Sequence, residues 1–229
     1  MAIAGRRACL PTAAAAFDPM CAACPRLAAF LAKQRLALPG YHNRPVPAFG
    51  PAGARLLVVG LAPGLHGANR SGRPFTGDHA GILLYRTLYE HGFASAPVSQ
   101  HASDGLQLID ARISNAVRCV PPQNKPEPAE VRRCNAFLAH DLAAHPAGGV
   151  VLALGAVAHQ AVLDALGLRR AHHAFAHGAS HALPGGRLLV DSYHCSRYNT
   201  ATRRLTPDMF AAVLAAVRAH LGAPAPGAA

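Results

Sequence analysis

Long apolar runs and lysines are what this 229-residue chain has least of. No apolar stretch approaches the roughly 20 residues that a membrane-spanning helix needs. No apolar segment follows Arg6 and Arg7, so the N-terminus does not read as a secretory signal. The chain is therefore expected in the cytoplasm, associated with the nucleoid. In that reducing compartment clustered cysteines bind metal more often than they form disulfides. No internal repeat is visible. Charged residues make up only 14%, and they are lopsided: 22 basic against 11 acidic, a formal net charge of +11. Lysine occurs only as Lys33 and Lys125, so nearly all the cations are arginine. Such an excess implies a polyanionic partner, usually nucleic acid, whereas solubility needs only a modest net charge of either sign. Arginine favours bidentate phosphate contacts, although a compositional bias toward Arg and Ala accounts for the same count.

What is present suits one α/β domain. Half of the residues are apolar (51%), enough for one sizeable core at this length. Residues 1–20 are Ala-rich without period and read as a loose arm. The domain is expected over 21–222, and the Gly/Pro/Ala tail 223–229 is expected to be disordered. Strands are expected at Arg55–Gly60, Leu108–Cys119, Val150–Leu154 and Arg187–Tyr193. Helices are expected after Cys24 and at Ala80–His91, Pro128–Leu142, Ala156–Leu166 and Pro207–Leu221, the last capped by Thr206. This alternation predicts a three-layer α/β/α sandwich around a short, mostly parallel central sheet, with sites gathered where strands end at their carboxyl side.

Four cysteines form a constellation. Cys21 and Cys24 make a CxxC followed at once by Pro25, while Cys119 and Cys134 are separated by 14 residues. Such a set suits tetrahedral zinc or a four-iron cluster. The wide second spacing, closing a Pro-rich loop, favours the larger group. Cys9 lies in the arm without a partner at ligand spacing.

The loop after the first strand, Gly60-Leu-Ala-Pro-Gly64 through Gly77-Asp78, is neither a P-loop nor a clean GxGxxG. Its glycines allow close backbone approach to a ligand. Arg70 and Arg73 are candidate phosphate contacts, and Phe75 reads as an exposed ring able to stack on a base. Asp78 begins a helix, so it is either an N-cap or a general base. After the last strand comes His194-Cys-Ser-Arg197-Tyr198-Asn-Thr, with Arg203 and Arg204 behind it, a site loop suited to DNA. A Cys195/His194 nucleophilic pair is disfavoured, because neighbours on a strand point to opposite sides. The histidines at 172, 173, 177 and 181 read as surface or loop residues.

Together, GLAPGLHGANRSGRPFTGD, Ser114-Asn115-Ala-Val-Arg-Cys119-Val-Pro-Pro-Gln-Asn-Lys-Pro, the CPRL at 24–27 and His194-Cys-Ser-Arg-Tyr-Asn-Thr resemble the family 5 (type B) iron–sulfur uracil-DNA glycosylases. The resemblance runs in order from about Cys21 to about Pro207. It implies that Cys21, Cys24, Cys119 and Cys134 hold a structural [4Fe–4S] cluster. It implies that Gly60, Ala62 and Gly64 form the first catalytic motif and that Phe75 stacks on the base. Asn115 would read the base, and His194 would support it as it leaves. Type A relatives carry Glu where this chain has Ala62, so the carboxylate role passes to Asp78. The family usually has Pro after the His, where this chain has Cys195, which removes a φ restraint. The implied activity is excision of uracil, and of hypoxanthine or xanthine, from DNA containing deaminated bases. The base would be flipped out, with Arg70, Arg73, Arg197, Tyr198, Arg203 and Arg204 on the DNA. Water would be the nucleophile, an abasic site would be left, and the enzyme is expected to be a monomer without membrane contact. The rival readings are a non-catalytic, metal-stapled nucleic-acid-binding domain and a hydrolase of free nucleosides.

Overall fold

A computed structural model describes residues 12–222. Among them, five strands form one sheet: β1 (Leu56–Gly60), β2 (Ala111–Asn115), β3 (Val150–Leu154), β4 (Ser180–Leu183) and β5 (Arg187–Ser192). The order is β2-β1-β3-β5-β4. All neighbours run parallel except the β4 edge, which is antiparallel to β5. Strands β1 and β3 are buried at every position, as their unbroken apolar sequences require when both faces are covered.

The helices are α1 (Pro25–Ala37), α2 (Ala68–Ser71), α3 (His79–Glu90), α4 (Pro128–Ala143), α5 (Ala156–Ala165), α6 (Arg197–Ala201) and α7 (Pro207–Leu221). Helices α3 and α7 cover one sheet face through Leu84, Leu88, Phe210 and Leu214. Helices α4 and α5 cover the other through Leu138, Leu142, Val162 and Leu163. The expected sandwich is therefore present. A third, smaller core joins Leu27 and Leu31 of α1 to Val117, Cys119 and Cys134. No helix of the described residues is long and apolar enough to cross a membrane.

Several boundaries differ from the sequence expectations for local reasons. The second strand is only Ala111–Asn115. Asp110 ahead of it has φ +53°, and beyond it Ala116 N–H donates to the Gly60 carbonyl, turning the chain across the end of β1. Strand β4 was not expected; its Ser-His-Ala-Leu sequence is short and half exposed, as an edge strand can be. Thr206 caps α7 as expected, accepting from Met209 N–H at 3.2 Å. Residues 12–20 lack regular structure yet are not loose. Ala15 N–H donates to the Ala136 carbonyl at 3.0 Å, and Phe17 packs edge-on against Phe137 at 5.8 Å. The remainder of the expected arm, the tail 223–229 and Cys9 lie outside the described residues.

Candidate active site

Strand order reverses between β1 and β3, the place where an open α/β sheet forms a crevice at its carboxyl ends. A cavity of about 440 Å³ opens there. It is lined by Ala62 and Gly64 from the loop after β1, by Phe75 and Asp78 before and at the start of α3, by Asn115 at the end of β2, and by His194 and Arg197 after β5. The size suits a small planar ligand. Residues from four separated segments thus meet in one place.

Each is positioned by its local fold. Gly60 and Asn115 are register partners at the ends of β1 and β2. A Cβ on Gly60 would stand 2.4 Å from Asn115 Oδ1 and 2.5 Å from the Phe75 ring, so only glycine lets those two side chains close on the strand end. Asn115 is buried, and its Oδ1 has no hydrogen-bond partner. Leaving such an acceptor dry costs about 1–3 kcal/mol, which a ligand donor would recover. Phe75 stacks on the His194 ring, with centroids 5.9 Å apart and planes 30° apart. The ring is 6% exposed, not the exposed platform expected from a polar loop: it forms the floor of the cavity.

Asp78 is an N-cap: its Oδ1 accepts from Gly81 N–H at 2.9 Å. Its other oxygen faces the Gly-rich loop, where a Cβ on Gly67 would come within 2.7 Å of Oδ2. One oxygen holds the helix while the second faces the Gly-rich loop, so capping leaves one oxygen of this cavity-lining residue uncommitted to the cap. Burial pushes the Asp78 carboxyl above its ordinary value, against the lowering effect of the Gly81 and Ala80 amides. Burial also pushes the His194 imidazole down to about 4, so it is neutral near pH 7. No hydrogen bond within the described residues engages its ring; only its carbonyl is bound, by Asn199 Nδ2 at 2.8 Å.

Three polar residues of the lining were not anticipated. His79 and Ser196 line the cavity, and so does Asn124, whose φ is +56° beside Gln123 at +55°. This strained turn lies in the Pro-Pro-Gln-Asn-Lys motif, but sequence spacing gives no sign that it reaches the pocket. Arg26 Nη2 ties it down through the Lys125 carbonyl at 3.1 Å.

The expected DNA contacts divide. Arg70, Arg197, Arg203 and Tyr198 are exposed, Tyr198 by 71%. Arg204 is exposed but lies over the Tyr193 ring at 4.5 Å. Arg73 is a correction. It is 5% exposed, pairs with Asp104 at 2.7 Å, donates to Ser99 Oγ and the Ala102 carbonyl, and stacks on Phe49. Both of its terminal nitrogens are engaged inside the protein, so it braces the loop and does not reach a phosphate.

The cysteine set converges. Cys24 caps α1, Cys119 follows β2, and Cys134 lies on α4 with its sulfur accepting from Arg118 N–H at 3.2 Å. Burial pushes the Cys119 thiol to about 12 and the Cys134 thiol to about 11, and charge on the other thiols of the set, Cys21 and Cys24 included, adds to both. Four soft sulfur donors drawn from three segments into one partly buried neighbourhood fit a thiolate-bound centre, whose positive charge would reverse that repulsion.

The chain matches the family profile of the uracil DNA glycosylase superfamily over residues 47–218. It belongs to that superfamily. A type-5 uracil-DNA glycosylase of Thermus thermophilus is 49% identical over 199 residues, 85% of this chain and 90% of the relative. Type-5 uracil-DNA glycosylases of Mycobacterium leprae and Pyrobaculum aerophilum are 42% and 41% identical, across 83% and 88% of this chain and 86% and 89% of theirs. In this chain the cavity stands at the carboxyl end of the sheet, inside the matched residues.

Proposed function

We infer that this chain is a DNA-repair glycosylase that removes uracil from DNA by hydrolysing the N-glycosidic bond. The observation that carries the reading is the meeting of Asp78, Asn115, His194 and Phe75 in one cavity of a superfamily member. A base inside a duplex is out of reach, so the target nucleotide rotates into the cavity. Phe75 lies under the base, and the unpartnered Asn115 amide meets its edge. As the bond breaks, negative charge grows on the base. A neutral His194 N–H stabilises that charge without first giving up a proton, a role of the oxyanion-hole kind. Positive charge grows on the sugar, where the second oxygen of Asp78 supports it and orients the attacking water. The base edge that Asn115 reads is shared in part by deaminated purines, so hypoxanthine and xanthine are further substrates. The product is an intact abasic site.

Cys21, Cys24, Cys119 and Cys134 would hold a [4Fe–4S] cluster, whose contribution is a structural tie between the N-terminal segment and the strap 119–134. A single tetrahedral zinc with bonds of about 2.3 Å needs sulfurs about 3.8 Å apart. Among the described residues the one group of three or more donors lying within 4.8 Å of one another is made of histidines and aspartate, not cysteines. That wider thiol spacing supports the larger group. The protein acts as a monomer in the nucleoid. Single-turnover excision on oligonucleotides carrying uracil, hypoxanthine or xanthine tests the activity. Release of uracil is expected; DNA binding without release of any base would favour the non-catalytic binding domain instead. Iron at about four per chain is expected from anaerobic preparations, and zinc alone at the thiols would overturn the cluster.

A further inference from the structure

On the α5 side of the sheet, three donors from three elements converge. His159 of α5, His181 of β4 and Asp191 of β5 place one ligand atom each within 4.8 Å of the others. Asp191 is fully buried and His159 is 2% exposed. His159 Nδ1 lies 2.8 Å from Asp191 Oδ1, and its Nε2 lies 2.8 Å from the His173 carbonyl. His181 Nε2 faces Asp191 Oδ2 at 3.4 Å, yet both atoms are buried without a hydrogen bond. Two such atoms left dry against each other demand an account.

We propose that His159, His181 and Asp191 form a binding site for one divalent transition-metal ion of the zinc class. Two donors bound to a tetrahedral zinc at about 2.0–2.2 Å stand about 3.4 Å apart, which is the His181–Asp191 separation. The second neighbour of His159 also fits: a metal-bound imidazole typically donates its other N–H to a carbonyl or carboxylate, here the His173 carbonyl. Nδ1 then offers its lone pair to the ion, and the proton it carried leaves to solvent. Two imidazoles and one carboxylate are a borderline donor set that suits zinc better than calcium or magnesium. Without an ion, both nitrogens of His159 face oxygen atoms, Asp191 Oδ1 and the His173 carbonyl.

The placement has a consequence for the neighbouring loop. Asp191 precedes His194 by three residues, and Gly155 at the head of α5 holds its Cβ direction 3.5 Å from His194 Cβ. An ion joining α5, β4 and β5 would brace the ground on which His194 stands.

The test is titration of the anaerobically purified, chelator-dialysed full-length protein with zinc, and with cobalt as a spectroscopic probe, alongside His181→Gln and Cys119→Ser. One saturable ion per chain is expected. The cobalt spectrum should show nitrogen and oxygen ligands without thiolate charge transfer, and His181→Gln should weaken binding at least tenfold while its melting temperature in chelator stays within a degree or two of wild type. Zinc should raise the melting temperature of the wild type and not of the variant. Equal zinc binding by wild type and His181→Gln, or no saturable binding, overturns the site and leaves a hydrogen-bonded histidine–aspartate pair. Zinc binding that vanishes only in Cys119→Ser also overturns it.

Discussion

Around the loop between β1 and α3, buried polar side chains are treated in two opposite ways. Arg73 has its guanidinium committed to Asp104, Ser99, Ala102 and the face of Phe49. The cavity that this loop borders keeps groups uncommitted among the described residues: Asn115 Oδ1 has no hydrogen-bond partner, no hydrogen bond engages the His194 ring, and Asp78 Oδ2 faces the Gly-rich loop. Both regions are largely buried and both carry residues that a nucleic-acid enzyme needs. What separates them is satisfaction. A buried group with every partner supplied is architecture; one left short, at the end of a strand, is held ready for a ligand.

The largest effect expected from breaking this contrast is on stability. Arg73→Ala would take the cation from Asp104, whose carboxyl is held well below its ordinary range, against burial, by Arg73 and by the amides of Leu106, Gln100 and His101. Asp104 keeps those amides, so the loss should stay below the ~3–5 kcal/mol of a fully buried broken pair yet be plain in denaturant melts. Arg70→Ala, on the exposed side of the same loop, should leave the melt unchanged and weaken DNA binding in a salt-dependent way. If Arg73→Ala instead folds normally and loses only DNA affinity, the contrast is wrong.

Asp78 sharpens it next, because this residue belongs to both regions. Asp78→Asn and Asp78→Ala should each lower single-turnover excision by about 100-fold or more, the scale of acid–base work. Only the Ala variant should lose stability, by about 1 kcal/mol, since Asn still accepts from Gly81 N–H as a cap. Near wild-type excision by either would reduce Asp78 to its cap.

The pH profile carries a smaller but directional signature. His194, depressed to about 4, stays neutral through the ordinary histidine range, so no inflection should appear near 6.5. Asp78 must be ionised to act and its pKa is raised above 3.8, so excision should fall as pH drops through a value above the ordinary aspartate one. Asp78→Asn should flatten that limb. A limb at 6.5 that disappears in His194→Gln would mean a charged histidine in the working enzyme.

The smallest expected effect is none. Lys125 stands beside the pocket-lining Asn124 but is exposed; its carbonyl accepts from Arg26 and its backbone N–H donates to the Pro122 carbonyl. Borohydride should trap no enzyme–DNA adduct, and Lys125→Ala should excise uracil like the wild type. An adduct lost in that variant would place an amine, not water, at the sugar.

The layered fold was legible because apolar runs such as LLVVG and VVLAL have few ways to be buried, and alternation with helices leaves little choice but a parallel sheet. Strand ends named the region of the site, and Asp78, Asn115 and His194 stood in the loops that follow. Strand β4 and the metal-like trio were not legible, since a four-residue polar edge and histidines scattered over positions 159–181 have no periodicity. Asn124 was hidden for a related reason: its two consecutive left-handed residues are a property of how the strap is tied down, not of its composition.

The sequence by itself determined the residue types and their chain order: a carboxylate at a helix start, an amide and an imidazole after strands, four spaced thiols and an excess of arginine. Tertiary structure alone decided which of these are free to act. Arg73 and Arg70 are three residues apart in the same motif, yet one is sealed against Asp104 and the other faces solvent. Desolvation and partner supply are set by neighbours distant in the chain, and those are what separate a structural charge from an available one.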